Sequence, residues 1–164
     1  MSGEDQRAAP PPDLDGAGLR IGVIRARWNN HIVDRLAEGV GRGLAGLRVD
    51  PQDVIDVTVP GSFELPMAAR VLAASGQVDA IVCLGSVIRG ETSHYDLVAG
   101  EAAAGIQQVQ IQTGVPVAFG ILTTEDEAQA LARSEPVGGH NVGEDAARVA
   151  VEMARLAARF PAVG

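Results

Sequence analysis

Four short apolar runs set the terms on which this chain can fold: residues 19–24, 54–59, 80–84 and 117–122. Each is too short for an ordinary helix, and each is followed by a longer segment whose apolar residues recur at three- and four-residue spacing. The order is therefore βαβαβαβαα. Strands separated by helices cannot pair as hairpins, so the chain is expected to build a four-stranded parallel sheet with helices on both faces and right-handed crossovers. Ligands of such sheets sit beyond the carboxyl ends of the strands. That rule puts Trp28, residues 61–64, 87–94 and 119–123 on one rim.

The helical segments carry their own punctuation. A first helix over 31–47 places Ile32, Val33, Leu36, Val40 and Leu44 near one face, with Asn29 or Asn30 as its N-cap. Its glycines, Gly39, Gly41, Gly43 and Gly46, resemble a dinucleotide fingerprint in letters only. They follow the strand by about fifteen residues instead of immediately, so close helix packing explains them better. A second helix starts at Phe63 or Glu64 with Pro66 in its first turn, where a missing N–H costs little. A third opens near Thr92 or Ser93 and ends at Gly114; a short fourth runs from Thr123 to Arg133. Residues 134–141 form a glycine-containing loop before a last helix over 143–160. Residues 1–18, rich in Pro, Asp, Glu and Gly, are expected to be a disordered tail, leaving 19–164 as one domain.

Composition excludes several functions. The net charge is −8 with no basic run, and aromatics are only 3% of residues, which argues against a nucleic-acid surface. No apolar run is long enough to span a bilayer and no signal peptide opens the chain, so a soluble cytoplasmic protein is expected. All 13 basic residues are arginine. Without lysine, neither an enzyme-bound Schiff base nor a P-loop is possible, and any imine must use a substrate's amine. The single cysteine, Cys83, lies inside a strand and reads as a small buried hydrophobe; it can form neither a disulfide framework nor a cysteine metal site.

The stretch 80–101 concentrates the chemistry. A strand feeds a loop bearing Gly85 and Gly90 and then a helix N-terminus, which offers backbone N–H groups and a favourable dipole to an anion. Arg89 and His94 flank that place, and imidazole titrates near neutrality. The plainer alternative is an ordinary strand-to-helix turn with a surface histidine. Glu64, at the second strand-to-helix junction, is either a first-turn acid or a ligand for hydroxyl groups.

Four blocks carry a resemblance. Arg27, Trp28 and Asn29 follow the first strand; Val59, Pro60, Gly61, Ser62, Phe63, Glu64, Leu65 and Pro66 follow the second. The third leads into Gly85 to Tyr95, with Val87, Ile88, Arg89, Gly90, Glu91 and Thr92 before His94, and the fourth holds Phe119 to Thr124. In order and spacing, over roughly 19–160, these resemble the 6,7-dimethyl-8-ribityllumazine synthase family. The resemblance implies a flavodoxin-like, three-layer αβα fold and a step of riboflavin biosynthesis. A ribitylaminopyrimidinedione with a 5-amino group condenses with 3,4-dihydroxy-2-butanone 4-phosphate to give the lumazine, phosphate and water, without metal or organic cofactor. It implies that Trp28 stacks on the heterocycle, that Asn29 contacts the ring or ribityl chain, and that Ser62 and Glu64 bind the ribityl chain. Val87 and Ile88 would read the pyrimidine edge through their backbone, Gly90, Glu91 and Thr92 would cradle phosphate, and His94 would transfer protons. Phe119 and Arg133 would come from a neighbouring subunit, Phe119 onto the heterocycle and Arg133 onto phosphate. The assembly would be a homo-oligomer built from pentamers, with riboflavin synthase as a further partner.

One departure stands out. The family usually has Asn-Lys-Gly at the start of the last helix, and here the residues are Asn141, Val142 and Gly143. Losing one charged partner of a phosphate costs on the order of 1.5–3 kcal/mol, so weaker phosphate binding is expected, partly offset by His140 when protonated. The loop 134–141 looks slightly longer than in shell-forming relatives, which favours a free pentamer. Two other classes stay open: a weakened homologue that binds lumazine or flavin or serves as a scaffold, and an unrelated flavodoxin-like nucleotide or phosphosugar binder.

Overall fold

A computed structural model of the chain describes residues 9–163. The order is β1 (Ile21–Ala26), α1 (Asn30–Gly46), β2 (Val54–Val59), α2 (Leu65–Ala74), β3 (Ala80–Ile88), α3 (His94–Thr113), β4 (Val117–Thr124), α4 (Glu127–Ala132) and α5 (Val142–Arg159). All strands are parallel, in the order β2-β1-β3-β4. The expected three-layer α/β architecture is therefore present. Side chains alternate across β3: Val82 and Leu84 enter a core with α1 and α5, while Ile81, Cys83 and Val87 enter one with α2 and α3. Cys83 is wholly enclosed and burial pushes its thiol up to about 12, which fits the small-hydrophobe reading.

The glycines of α1 divide by face. A Cβ at Gly43 would lie 2.9 Å from both the Ala147 Cβ and the Glu144 carbonyl oxygen, and one at Gly39 would overlap the Asn141 amide. Gly41 and Gly46 face open space, so only one pair serves the α1–α5 contact. Asn141 locks this contact. Its Oδ1 accepts from the Glu144 N–H as the N-cap of α5, while its Nδ2 donates to the carbonyls of Arg35 and Glu135.

Three boundaries differ from expectation. β3 runs to Ile88, four residues past the expected end at Leu84, because Gly85 is a packing position inside the strand and not a loop residue. A Cβ there would overlap the Ser62 hydroxyl. Thr123 and Thr124 belong to β4, and α4 is opened by the Asp126 side chain accepting from the Gln129 N–H. Of the tail expected over 1–18, residues 1–8 lie outside the described ones. Further on, the Gly16 N–H donates to the Leu47 carbonyl at 2.6 Å, Asp15 pairs with Arg48, and Arg155 donates to the carbonyls of Asp15 and Ala17. This strap crosses the ends of α1 and α5. Asp15 and the carbonyls of Asp15 and Ala17 are taken up by specific partners, which composition does not reveal.

Candidate functional site

The chain runs from β1 outward to β2, then returns past β1 to β3, so the direction of winding reverses between β1 and β3. A crevice is expected at that switch point, beyond the carboxyl ends of the strands. A cavity of about 350 Å³ lies there. Its walls come from three junctions: Trp28 and Asn29 after β1, residues 60–64 after β2, and residues 86–88, Gly90, Thr92, His94, Tyr95 and Val98 around the start of α3.

Each junction has a local cause. After β1, the Arg27 and Trp28 N–H groups donate to the carbonyls of Val59 and Pro60, and Asn29 takes a left-handed conformation at φ 57°. Trp28 is thereby presented at the mouth with 74% of its surface exposed. After β2, a single 3-10 turn over Ser62–Glu64 leads into α2. Ser62 is buried against Gly85 while Glu64 stays exposed, its Oε2 3.3 Å from where a Cβ on Gly61 would stand. After β3, the Thr92 hydroxyl accepts from the His94 N–H at 3.3 Å as α3 begins.

The cavity thus brings together Trp28, Asn29, Ser62, Glu64, Val87, Ile88, Gly90, Thr92 and His94. Three other residues singled out in the sequence do not line it. Glu91 is exposed beside it. Phe119 is the third of the eight residues of the edge strand β4, opposite Cys83, well short of the strand end and so off the expected rim. Arg133 lies at the end of α4, with one Nη donating to the Gln129 carbonyl.

Arg89 corrects an expectation. The sequence places it beside an anion, but its guanidinium pairs with Glu125 at 2.9 Å and Asp96 at 3.4 Å and covers the Tyr95 ring at 4.2 Å. Hydrogen bonding to Glu125 raises its pKa. It ties the end of β4 to the first turn of α3 and does not line the cavity. Among the described lining residues, His94 alone can become cationic and Glu64 is the sole carboxylate. An anion held here would rely on backbone N–H groups near the start of α3, on His94, and on a cation from outside this set.

Sequence reasoning missed Ser86 and Val98 as lining residues and gave Pro60 and Tyr95 no role. Tyr95 and Val98 are three apart on α3, so they share a face once its start is fixed. Ser86 could be placed only by knowing that β3 continues past Gly85.

A family model described as 6,7-dimethyl-8-ribityllumazine synthase matches residues 18–158. Relatives bearing that same name are similar over most of their length. The protein of Paraburkholderia phytofirmans is 48% identical over 153 residues, covering 93% of this chain and 88% of that protein. That of Cupriavidus metallidurans is 49% identical over 144 residues, covering 88% and 82% respectively. The Burkholderia multivorans protein is 46% identical over 153 residues, covering 93% and 86%.

Proposed function

The chain belongs to the 6,7-dimethyl-8-ribityllumazine synthase family, enzymes of riboflavin biosynthesis, and from that premise we propose how its residues divide the work. The observation that carries the division is the gathering of Trp28, Glu64 and His94 around one cavity at the switch point. Trp28 supplies a flat apolar face for the heterocycle. Glu64 accepts hydrogen bonds from ribityl hydroxyls, and Ser62, whose side chain is turned into the protein, contributes its backbone. The backbone of Val87 and Ile88 reads the polar edge of the pyrimidine, with Asn29 beside it.

The phosphate of the butanone substrate sits near the start of α3, on backbone groups of Gly90, Glu91 and Thr92. Glu91 contributes its backbone only, since its carboxylate would repel the phosphate. The substrate's own amine attacks the ketone and water is lost to give the imine. His94 removes the proton whose electrons expel phosphate and returns a proton during tautomerisation; in ring closure the ribitylamino nitrogen attacks the remaining ketone and a second water leaves.

In this reading a neighbouring copy of the chain supplies Arg133 to phosphate and Phe119 to the heterocycle, within a pentamer acting in the cytoplasm. The support is the lack of any arginine among the described residues that line the cavity of the single chain. No helix of the described residues is long and apolar enough to cross a membrane. The product would pass to riboflavin synthase.

The test is absorbance-monitored lumazine formation from the two substrates, corrected for the uncatalysed condensation. The unmodified protein is expected to turn over, Val142→Lys to lower KM for the butanone phosphate, and His94→Ala to lose roughly 10²- to 10⁴-fold in kcat with its fold kept. No turnover in the unmodified protein together with recovery in Val142→Lys would make this chain a lumazine binder or scaffold. Unchanged kcat in His94→Ala would remove the imidazole from proton transfer.

A further inference from the structure

We propose that Asn29 is a positioning residue that holds Trp28 at the cavity mouth, because its side-chain amide stands in for the strand residue that β1 no longer supplies. The proposal rests on the reading of this cavity as the heterocycle site and gives Asn29 a task other than contact with ring or ribityl chain.

β1 pairs with β3 only as far as Arg25 opposite Leu84, yet β3 continues to Ile88. Beyond that point no β1 residue is paired with β3, and a buried backbone carbonyl left without a donor is costly. Ser86, two residues on, is 2% exposed, and its carbonyl accepts from Asn29 Nδ2 at 2.8 Å. The amide therefore extends the ladder past the end of β1.

The same residue is tied on its other side. The Asn29 carbonyl accepts from the N–H groups of Ile32 and Val33, starting α1. To meet both partners its backbone adopts φ 57° and ψ 42°, a left-handed conformation that asparagine tolerates better than most residues. Its side chain makes no cap bond to α1, so the expected N-cap works through the backbone alone. Trp28 is thus fixed between its own N–H on the Pro60 carbonyl and Asn29 on Ser86. Trp28 is 74% exposed, so little packing holds it and its position depends on these ties.

Trp28 is the only tryptophan in the chain, so its fluorescence reports this one site. The experiment compares the full-length protein with Asn29→Gly, which keeps the positive φ and removes the amide, and Asn29→Asp, which keeps the shape and sets an acceptor against the Ser86 carbonyl. Time-resolved anisotropy of ligand-free protein is expected to show greater fast motion of Trp28 in both, with the far-ultraviolet circular dichroism unchanged. Affinity for the purified lumazine is expected to fall about tenfold, with KM for the butanone phosphate unaltered.

Unchanged Trp28 motion in Asn29→Gly overturns the proposal, whatever the affinity does, since a loss of affinity alone would mean direct contact between Asn29 and ligand. Loosened Trp28 with unaltered affinity overturns the role in binding. If the unmodified protein binds no lumazine, the proposed function of the cavity fails, while the anisotropy comparison still decides whether Asn29 holds Trp28.

Discussion

Single side chains here are decided by their partners more than by their type. Arg89 and His94 stand five residues apart, and the imidazole lines the cavity while the guanidinium is taken up by Glu125, Asp96 and the Tyr95 ring. Asp15 shows the same rule with a pH consequence. Its carboxyl is held below its ordinary 3.8 by the hydrogen bond from Arg48, then by the Ala17 N–H, against a smaller opposing effect of desolvation. A lowered native pKa means that this contribution is complete above the unfolded value and lost as pH falls through the native one. Amide exchange at Gly16 and Ala17 is therefore expected to accelerate, beyond the intrinsic rate, as pH drops below about 4, the ordinary carboxylate value. In Asp15→Asn the extra acceleration should be absent. An equal acceleration in that variant would assign the loosening to another group.

Between elements, the closest fit is at α1 and α5, where Gly39 and Gly43 admit the start of α5 and a Cβ on Gly143 would overlap the Leu36 carbonyl. Asn141, 2% exposed, fills the seam with all its bonds made. Replacing it by alanine removes a helix cap and leaves the Arg35 and Glu135 carbonyls without that donor, at a cost of about 2–4 kcal/mol. Asn141→Asp keeps the cap acceptor but sets a carboxylate oxygen against both carbonyls inside a buried seam, and should lose more. Urea unfolding of the two variants checks the order; a smaller loss in Asn141→Asp would mean that the cap outweighs the amide donors. Much of this level was legible beforehand. The apolar runs gave all four strands, and the four glycines of α1 pointed to close packing, which only Gly39 and Gly43 turn out to serve. What escaped was whatever depends on a distant partner: Gly85 passed for a loop glycine because Ser62, which occupies the space beside it, is 23 residues away in the sequence. The strap escaped because Arg48 and Arg155 supply its order from elsewhere. Asn29 escaped as a ladder element because nothing in its neighbourhood says where β1 stops pairing.

At the scale of the whole molecule, the described residues of the single chain line the cavity with one imidazole and no arginine, and leave Phe119 43% exposed on an edge strand and Arg133 at the end of α4, both outside the lining. An anionic substrate held by one imidazole and backbone alone would be weakly bound, because a guanidinium contributes paired, charge-assisted bonds. The proposed solution is a ring in which each copy lends Phe119 and Arg133 to the next. Ring geometry makes this testable without knowing the ring's size. His94→Ala and Arg133→Ala should each be poor catalysts at low butanone phosphate, the first through kcat and the second through a raised KM. If the two residues act in the same site from different copies, then unfolding and refolding the variants together creates some sites with both intact. In an equal, randomly assembled mixture, about one interface in four carries both, since each side is independently of the right type half the time. Activity of the mixture should therefore rise to about a quarter of the unmodified protein's, measured below its KM for the phosphate substrate. If His94 and Arg133 serve a site within one chain, no hybrid can contain both, and the mixture will show only the average of its two parents.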